Sequence, residues 1–288
     1  MRPFLKWPGG KYRLSQRISS KLLPGKRLIE PFTGSAAIFL NTAYDSYLLA
    51  DSNPDLINLY RQLIDGGNDF ISYCGSLFLP GNNRESTYYK FRNEFNTCRD
   101  VSRKSALLLF LNRHCYNGLI RYNSKGEFNT PFGRYLKPYF PEREMRHFIN
   151  AADKATFIHA NYTQSMGMAH KGDIVYCDPP YAPLSGTAYF TDYHTGGFKW
   201  KDQVLLAELA RRLADKGIQV VISNHNTREI RKLYKDLKAG ISSFQVRRSI
   251  SRDINNRHKV GELLAVFTQP CATGTKKNVS RRDRKDRQ

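Results

Sequence analysis

The sequence predicts an α/β protein with a doubly wound, mostly parallel sheet, an antiparallel end hairpin and an inserted helical subdomain. Short apolar runs typical of buried strands alternate with segments of helical spacing, which is the pattern of a parallel sheet covered by helices. A long helix-rich segment breaks this alternation after the second strand. With 288 residues and 40% hydrophobic content, the chain can bury a sizeable core.

The first elements are short. A strand is predicted over 27–32, and we expect the small residues at 33–37 to turn tightly into a helix. The second strand, SYLLAD at 46–51, ends in an acid. Apolar residues at helical spacing then predict a helix over 55–64.

The later part of the chain repeats the strand and helix alternation. Three more buried strands are predicted, at 155–160, 173–178 and 218–224. Helices are predicted over 201–217 and 226–237. Apolar runs at 244–250 and 261–267 flank a polar stretch and predict the antiparallel hairpin.

Residues 54–142 interrupt the alternation. They contain helical stretches at 86–95 and 103–114, followed by a section rich in Tyr, Asn, Arg and Gly at 115–141. A structureless loop of ~20 residues is unusual within a compact domain. We therefore interpret 54–142 as an inserted, mainly helical subdomain that carries a recognition loop.

The remaining chain forms the main domain and a tail. The main domain is predicted to comprise 1–53 and 143–270, and the polar tail at 271–288 is predicted to be disordered. Lys and Arg number 46 against 25 Asp and Glu, a formal charge of +21. Residues 276–288 hold seven basic and two acidic residues, a net +5, so +16 belongs to the rest of the chain. This charge indicates a polyanionic partner.

The cysteines and histidines do not indicate a metal site. The five cysteines are scattered without a CxxC pair, which is typical of free thiols in a reducing compartment. No histidine pair has ligand spacing, so no metal is expected. No apolar run approaches the ~18 residues of a membrane span. We expect a cytoplasmic protein with no membrane partner.

The predicted strand ends indicate where a ligand would bind, because open α/β sheets bind ligands at the carboxyl ends of their strands. EPFTGS at 30–35 lacks the GxGxxG spacing that cradles a diphosphate. Asp51 could accept hydrogen bonds from a ribose diol, although an acid at this position is more often a helix cap. Together the two strand ends favour an adenosyl ligand without a diphosphate.

DPPY at 178–181 follows a predicted buried strand. Asp178 and the carbonyl of Pro179 could both accept hydrogen bonds from one exocyclic amine, because proline donates none. Two such acceptors favour a pyramidal nitrogen whose lone pair faces an electrophile, and Tyr181 offers a face for stacking. The alternative is an ordinary strand that ends at proline and leaves a solvated tyrosine. The upstream adenosyl site favours the amine clamp.

Five blocks in order carry a resemblance to one family: FLKWPGGK (4–11), EPFTGSAAIFLN (30–41), LADSNPDLINLY (49–60), LNRHCYNGLIRYNSKGEFNTPFGRY (111–135) and VYCDPPYAPLSGTAYFT (175–191). The chain resembles the Dam family of DNA adenine-N6 methyltransferases over 4–267. DPPY is shared by many amino-methylating enzymes, whereas the first and fourth blocks are more specific to Dam. Pro8 and His114-Cys115 depart from the family pattern.

The resemblance implies a Rossmann-like S-adenosylmethionine-dependent methyltransferase and transfer to an adenine flipped from duplex DNA, within GATC. It implies methylation that serves DNA replication, mismatch repair or restriction–modification. The residues that match cofactor contacts are Trp7, Lys11, Phe32, Asp51 and Asp178. Those that match the catalytic motif are Asp178, Pro179, Pro180 and Tyr181.

The resemblance also assigns DNA contacts. Lys6 matches the residue that contacts the first guanine, and Tyr116 matches the one that fills the gap left by the flipped base. The far half of the site is read at the positions of Leu119, Arg121 and Pro131. Further contacts match Asn117, Asn129, Arg134 and Tyr135. The basic tail would add phosphate contacts.

Two alternatives stay open at the level of sequence. An N4-cytosine or RNA-directed methyltransferase would use the same amine clamp, and a DNA-binding protein without catalysis could keep the fold as a scaffold. The intact Asp178 and the intact donor-side residues favour an enzyme. The expected partner is double-stranded DNA, and we expect a monomer associated with the nucleoid. His225, at a strand end, is interpreted as a capping or packing residue.

Overall fold

The computed structural model describes residues 1–181, 198–247 and 259–269. Within them one seven-stranded sheet is formed by β1 (Arg27–Glu30), β2 (Ser46–Asp51), β3 (Ala155–His159), β4 (Asp173–Cys177), β5 (Gln219–His225), β6 (Gly240–Arg247) and β7 (Lys259–Phe267). The basic tail, the polar stretch of the hairpin and the end of the DPPY block, 182–191, lie outside the described residues.

The α-helices of the described chain are α1 (Ser15–Ser19), α2 (Pro54–Ser76), α3 (Glu85–Thr97), α4 (Val101–His114), α5 (Glu142–Ala152), α6 (Tyr162–Gly167), α7 (Trp200–Asp215) and α8 (Arg228–Asp236). Short 3-10 helices occupy Lys11–Leu14, Phe39–Asn41, Pro80–Asn82 and Tyr116–Gly118. Among these described segments, no helix combines the length and the apolar character needed to cross a bilayer.

The strand order is β3-β2-β1-β4-β5-β7-β6. The first five strands pair in parallel, and β7 runs antiparallel to both β5 and β6. This arrangement confirms the predicted fold class. The strand order switches direction between β1 and β4, so a crevice at their carboxyl ends is the expected ligand position.

The strands at this switch are buried on both faces, because helices cover the sheet on both sides. All five residues of β4 are buried. Along β1, Leu28 packs in one core cluster and Ile29 in the other, on opposite faces of the sheet. The carboxyl ends of β1 and β4 are therefore fixed by packing before any ligand binds.

The predicted helix after the first strand is wrong. Residues 33–38 form turns and lead into the 3-10 helix Phe39–Asn41. Gly34 and Ala36 have φ of 48° and 59°, values that a right-handed helix excludes. The Gly34 N–H instead donates to the Asp51 carboxylate at 3.0 Å. The small residues thus bring the backbone to the end of β2.

The helix predicted over 55–64 is present as the longer α2. Its first turn is capped by Asn53, whose side-chain oxygen accepts from the N–H groups of Asp55 at 3.0 Å and Leu56 at 3.3 Å. The helix kinks at Gly67, where φ is 50°. Helices α5 and α6 were not predicted. α5 buries Met145, Phe148 and Ala152. Charged and polar residues lie between these three, so the sequence did not reveal an apolar helix face.

The N-terminal segment is anchored between the sheet and the helices that follow β2. Phe4 is 1% exposed and packs edge-on against Tyr60 at 5.8 Å and Phe148 at 5.2 Å between ring centroids. Edge-to-face pairs of this kind add to the stabilisation from burial. The buried Phe4 therefore fixes the position from which the next residues of the chain reach the crevice.

Candidate active site

A cavity of about 420 Å³ lies at the carboxyl ends of β1, β2 and β4, at the switch in strand order. Side chains from the N-terminal segment and from the ends of β1, β2, β4 and β5 line it: Trp7, Lys11, Glu30, Phe32, Asp51, Asp178, Pro179, Tyr181 and His225. All five residues predicted to bind the cofactor are in this group. Sequence positions that are far apart thus meet in one crevice.

Lys11 and Asp178 form an ion pair inside the cavity. Lys11 Nζ lies 2.9 Å from Asp178 Oδ1, and the side chains are 6% and 21% exposed. Lys11 Nζ also donates to the carbonyl of Gly9 at 2.6 Å. Ser223, at the middle of β5, donates to the same Asp178 oxygen at 2.8 Å. The carboxylate is held from two sides through Oδ1.

Tyr181 stands beside this ion pair. Its ring centroid is 4.5 Å from Lys11 Nζ, and its hydroxyl donates to Glu262 Oε2 at 3.2 Å. Its ring packs edge-on against His225 at 4.7 Å. Burial, with smaller contributions from Asp178 and Glu262, raises the pKa of Tyr181 well above its usual value. The ring is therefore neutral and fixed in orientation.

The backbone of the DPPY turn is fixed from behind. Gln203 of α7 donates from Nε2 to the carbonyl of Pro180 at 2.9 Å. Asn224 of β5 donates in turn to Gln203 Oε1 at 2.9 Å and to the Tyr234 hydroxyl at 3.1 Å. Gln203 and Asn224 are buried. No motif in the sequence contains either amide, so this pair of hydrogen bonds was not predicted.

Glu30 is a site residue that sequence reasoning missed as an individual contact. It ends β1, lines the cavity and is 2% exposed. Within the described residues its Oε1 has no hydrogen-bond partner. Burial raises its pKa to about 8, with a smaller contribution from Asp178. A buried carboxyl oxygen without a partner suits a cationic ligand group.

Asp51 and two aromatic residues form the other wall. Asp51 accepts from the N–H groups of Gly34 at 3.0 Å and Asn53 at 2.9 Å, and burial raises its pKa despite these bonds. Trp7 packs against Gly34, where an added Cβ would lie 2.9 Å from its indole nitrogen. Phe32 stacks on Tyr162 at 5.6 Å. The wall thus combines a carboxylate with aromatic surfaces, which fits an adenosyl group.

A second, larger cavity of about 910 Å³ adjoins the first. The two share lining residues: Trp7, Pro8, Gly9, Gly10, Ser35, Tyr181 and His225. Four residues predicted to contact DNA line this second cavity: Lys6, Asn117, Leu119 and Tyr135. The predicted DNA contacts and the predicted cofactor contacts therefore meet at Tyr181.

Lys6 is partly enclosed. Its Nζ lies 3.5 Å from the centroid of the Tyr135 ring and donates to the carbonyl of Arg113 at 3.0 Å. Burial, assisted by the charge of Arg113, lowers the pKa of Lys6 to about 8. Such a lysine carries its charge in a weakly hydrated position.

The other predicted DNA residues lie on the loop 115–135. Tyr116 is 44% exposed, and its N–H donates to the carbonyl of Pro131 at 2.9 Å. Arg121 Nε donates to Asn129 Oδ1 at 2.7 Å. Arg134 has φ of 52° and lies 3.6 Å from Glu85. The loop is thus a folded unit that presents exposed side chains.

Comparison with known proteins identifies the family. A family profile described as D12 class N6 adenine-specific DNA methyltransferase matches residues 7–250. The chain belongs to this D12 class. The match confirms the family inferred from the five blocks, and it gives no support to the cytosine-directed, RNA-directed or non-catalytic alternatives.

Curated relatives of the D12 class match along almost their whole length. The chain is 48% identical to a DNA adenine methylase of Escherichia coli (strain K12), covering 96% of this chain and 99% of that protein. It is 50% identical to a DNA adenine methylase of Serratia marcescens, covering 92% and 98%. A solved precorrin 8W decarboxylase of Methanobacterium thermoautotrophicum matches at 12% identity with a TM-score of 0.40, covering 93% and 99%.

As a D12-class enzyme, the protein transfers a methyl group from S-adenosylmethionine to adenine N6 in DNA. The cavity at the switch point fits this donor. It offers a cationic group the Glu30 oxygen that has no hydrogen-bond partner in the described part of the chain, and it places Asp51 beside two aromatic side chains. Among the residues that the structure describes, no group of three or more His, Cys, Asp or Glu could hold a metal ion.

Proposed function

We propose that the protein methylates N6 of the adenine in GATC within double-stranded DNA. The observation that carries the proposal is the junction of the two cavities at Tyr181. A base flipped from the duplex into this junction would lie between the donor cavity and the DNA-facing loop. The curated relatives, named DNA adenine methylases, support the same target base.

The donor would bind in the cavity at the ends of β1, β2 and β4. S-adenosylmethionine supplies an electrophilic methyl group when it is bound. Asp51 would accept hydrogen bonds from its ribose hydroxyls, and Trp7 and Phe32 would flank the adenosyl portion. Glu30 would lie against the cationic amino group. These roles follow from the burial and charge of each side chain in the cavity.

The flipped adenine would stack on Tyr181 and present its amino group to Asp178 and the carbonyl of Pro179. The described contacts of the Asp178 carboxylate, from Lys11 and Ser223, both go to Oδ1, so Oδ2 is assigned to the amine. Asp178 then stabilises the positive charge that develops on nitrogen. Most of the acceleration comes from holding the two reactants in line and from fixed charges in a dry site.

Sequence recognition would be divided between two parts of the chain. Residues 1–53 and 143–270 form the catalytic part, and 54–142 form the target-recognition insertion. Lys6 would contact the first guanine and Tyr116 would fill the gap left by the flipped base. Leu119, Arg121 and Pro131 would read the far half of the site. The exposed loop 115–135 supports this assignment, and we propose that the enzyme acts as a cytoplasmic monomer.

The proposal is tested with labelled S-adenosylmethionine and three duplexes that contain GATC, GTTC or GACC. We expect labelling of the GATC duplex alone, and equal labelling of all three would contradict the specificity. Asp178→Ala should abolish transfer while DNA affinity stays largely intact. Asp173→Ala is the matched control, because Asp173 lies at the amino end of the same strand, away from the cavity, where it pairs with Arg27 at 2.6 Å.

A further inference from the structure

We infer that Asn112 is a specificity-determining positioning residue. Its buried amide fixes the N-terminal segment that carries Lys6 to the turn Tyr116–Gly118. The inference rests on the proposed function, because it uses the roles of Lys6 and Tyr116 in reading DNA. It adds a fully buried residue of the block at 111–135, a residue to which the resemblance assigns no base contact.

The Asn112 side chain makes hydrogen bonds to both segments. Its Oδ1 accepts from the Lys6 N–H at 2.9 Å, and its Nδ2 donates to the Lys6 carbonyl at 2.8 Å. Nδ2 also donates to the Gly118 carbonyl at 3.0 Å. Asn112 is fully buried within α4. One side chain therefore satisfies the N–H and the carbonyl of Lys6 and the carbonyl of Gly118. Because the site is buried, leaving any of these polar groups without a hydrogen bond would destabilise the fold.

Gly118 contributes the close approach that makes this arrangement possible. Its φ is +69°, and an added Cβ would lie 2.2 Å from the Lys6 Cβ. No side chain fits between the turn and Lys6. The glycine thus allows the two backbones to pack directly, and the Asn112 amide joins them.

The Lys6 side chain is held to the same insertion. Its Nζ contacts the Arg113 carbonyl and the Tyr135 ring, and the Tyr135 hydroxyl accepts from the Asn117 N–H at 3.0 Å. A lysine ammonium is a point charge on a flexible stem. Its position therefore depends on where its backbone is fixed. Asn112 supplies that fixed point relative to Tyr116.

This geometry has a specific consequence for base reading. Lys6 belongs to the N-terminal segment, whereas Tyr116 belongs to the insertion, so the distance between the two readers is not set by neighbouring chain. If the Asn112 bonds are lost, Lys6 can move relative to the turn while Arg121 and Asn129 keep their mutual contact. Discrimination should then fall at the first base pair and persist at the last.

The experiment uses full-length protein and hemimethylated duplexes, so that each duplex has one acceptor adenine. The intact GATC is compared with duplexes in which either the first or the last base pair of the acceptor strand is replaced. Asn112→Ala should reduce the kcat/KM ratio of intact to first-pair-replaced duplex by roughly 10-fold or more, the scale of one base contact. The ratio for the last pair should change little.

Gln219→Ala is the matched control. Gln219 is also a buried amide that holds backbone of the N-terminal region from both sides, accepting from Leu23 N–H at 2.7 Å and donating to the Lys21 carbonyl at 3.0 Å. It lies at the start of β5, away from the cavities. Its loss should lower the melting temperature and leave both ratios unchanged.

Gly118→Ala tests the same junction from its other side, and it serves if Asn112→Ala does not fold. It should relax the first base pair as well, and the double variant should be less than additive. Retained first-pair discrimination in a folded Asn112→Ala or Gly118→Ala protein would overturn the inference. If wild-type protein does not prefer GATC, the proposed function fails and the inference fails with it.

Discussion

Lys11 Nζ and Asp178 Oδ1 lie 2.9 Å apart in a half-closed crevice, with Ser223 donating to the same oxygen. The ion pair joins the N-terminal segment to the end of β4. It places a fixed positive charge beside Tyr181 and fixes the carboxylate that we assign to the target amine. The carboxylate that we assign to the target amine is therefore held in place by Lys11 and Ser223, and Lys11 comes from a distant part of the sequence.

Removing one member of this pair should destabilise the protein more than removing both. Lys11→Met leaves a partly buried carboxylate without its cation, whereas Lys11→Met with Asp178→Asn leaves neither charge. In a double-mutant cycle by denaturant unfolding, we expect a coupling of about 1–3 kcal/mol. The exposed pair Lys232 and Asp236, at 2.6 Å, is the control and should couple by less than ~1 kcal/mol. Equal couplings would contradict the burial argument.

Glu30 should make stability fall as pH rises. Burial raises its pKa from the usual 4.5 to about 8. Below pH 4.5 Glu30 is protonated in both the folded and the unfolded protein, and its contribution to stability is fully present. Between pH 4.5 and 8 the unfolded chain has lost this proton while the folded protein keeps it, so the free energy of unfolding falls as pH rises. Glu30→Gln should therefore gain stability over wild type as pH rises from 5 to 8, by up to about 1.4 kcal/mol per pH unit. A difference that is constant with pH would contradict the assignment.

Arg121 should set discrimination at the last base of the site. Its guanidinium is exposed and is oriented by Asn129 at 2.7 Å, so it is free to pair with guanine O6 and N7. Arg121→Ala should keep some transfer and relax the last base pair by about 1–3 kcal/mol, and Asn129→Ala should give part of this effect. Arg212→Ala, on the exposed face of α7, is the control. Loss of discrimination at the first base instead would show that the two reading roles are exchanged.

Gln203 should affect the rate of transfer more than binding. It holds the Pro180 carbonyl at 2.9 Å, so Gln203→Leu frees the DPPY turn to shift relative to Lys11. Small misplacements of reacting groups can cost up to ~100-fold in rate. We expect kcat to fall roughly 10- to 100-fold while the KM for S-adenosylmethionine changes little. Gln219→Leu removes another buried amide and should leave kcat intact; equal effects on kcat would point to general instability.

DNA binding should weaken steeply with salt. The +16 that lies outside 276–288 implies many phosphate contacts, and each contact releases counterions from the duplex. Affinity for a GATC duplex should fall by about 100-fold or more between 50 and 200 mM salt. Asp178→Asn should have the same salt slope, because we assign the carboxylate to the target base and not to a phosphate. An affinity that does not change with salt would contradict the prediction that this positive charge contacts DNA phosphates.

The sequence predicted the parts of the site that depend on local chemistry. DPPY follows the buried strand β4, whose residues after Asp173 are mostly apolar, and proline has no N–H to donate. Asp51 was predicted for the same reason, as an acid at a strand end. The sheet could be predicted from the alternation of strands and helices, because strands that are buried on both faces appear in the sequence as continuous apolar runs.

Other features depended on contacts between distant segments. The small residues after β1 were predicted to turn tightly into a helix, whereas the Gly34 N–H is bonded to Asp51 at the end of β2 and Ala36 has a positive φ. Asn112 lies in a helix between buried residues, and nothing in its neighbourhood indicates that its partners are Lys6 and Gly118. Gln203 was likewise hidden within the amphipathic pattern of α7.

The proposed division of base reading between Lys6 and the loop 115–135 would limit how new specificities can arise in such a chain. Exchanging the insertion 54–142 for that of a relative would replace Tyr116 and Arg121 by the relative's residues. Lys6 of this chain would remain, and it would pack against a turn from the other protein. A chimera would need to inherit the first dozen residues together with the insertion. On the proposed roles, specificity would be inherited as two matched gene segments, one for the N-terminal residues and one for the insertion.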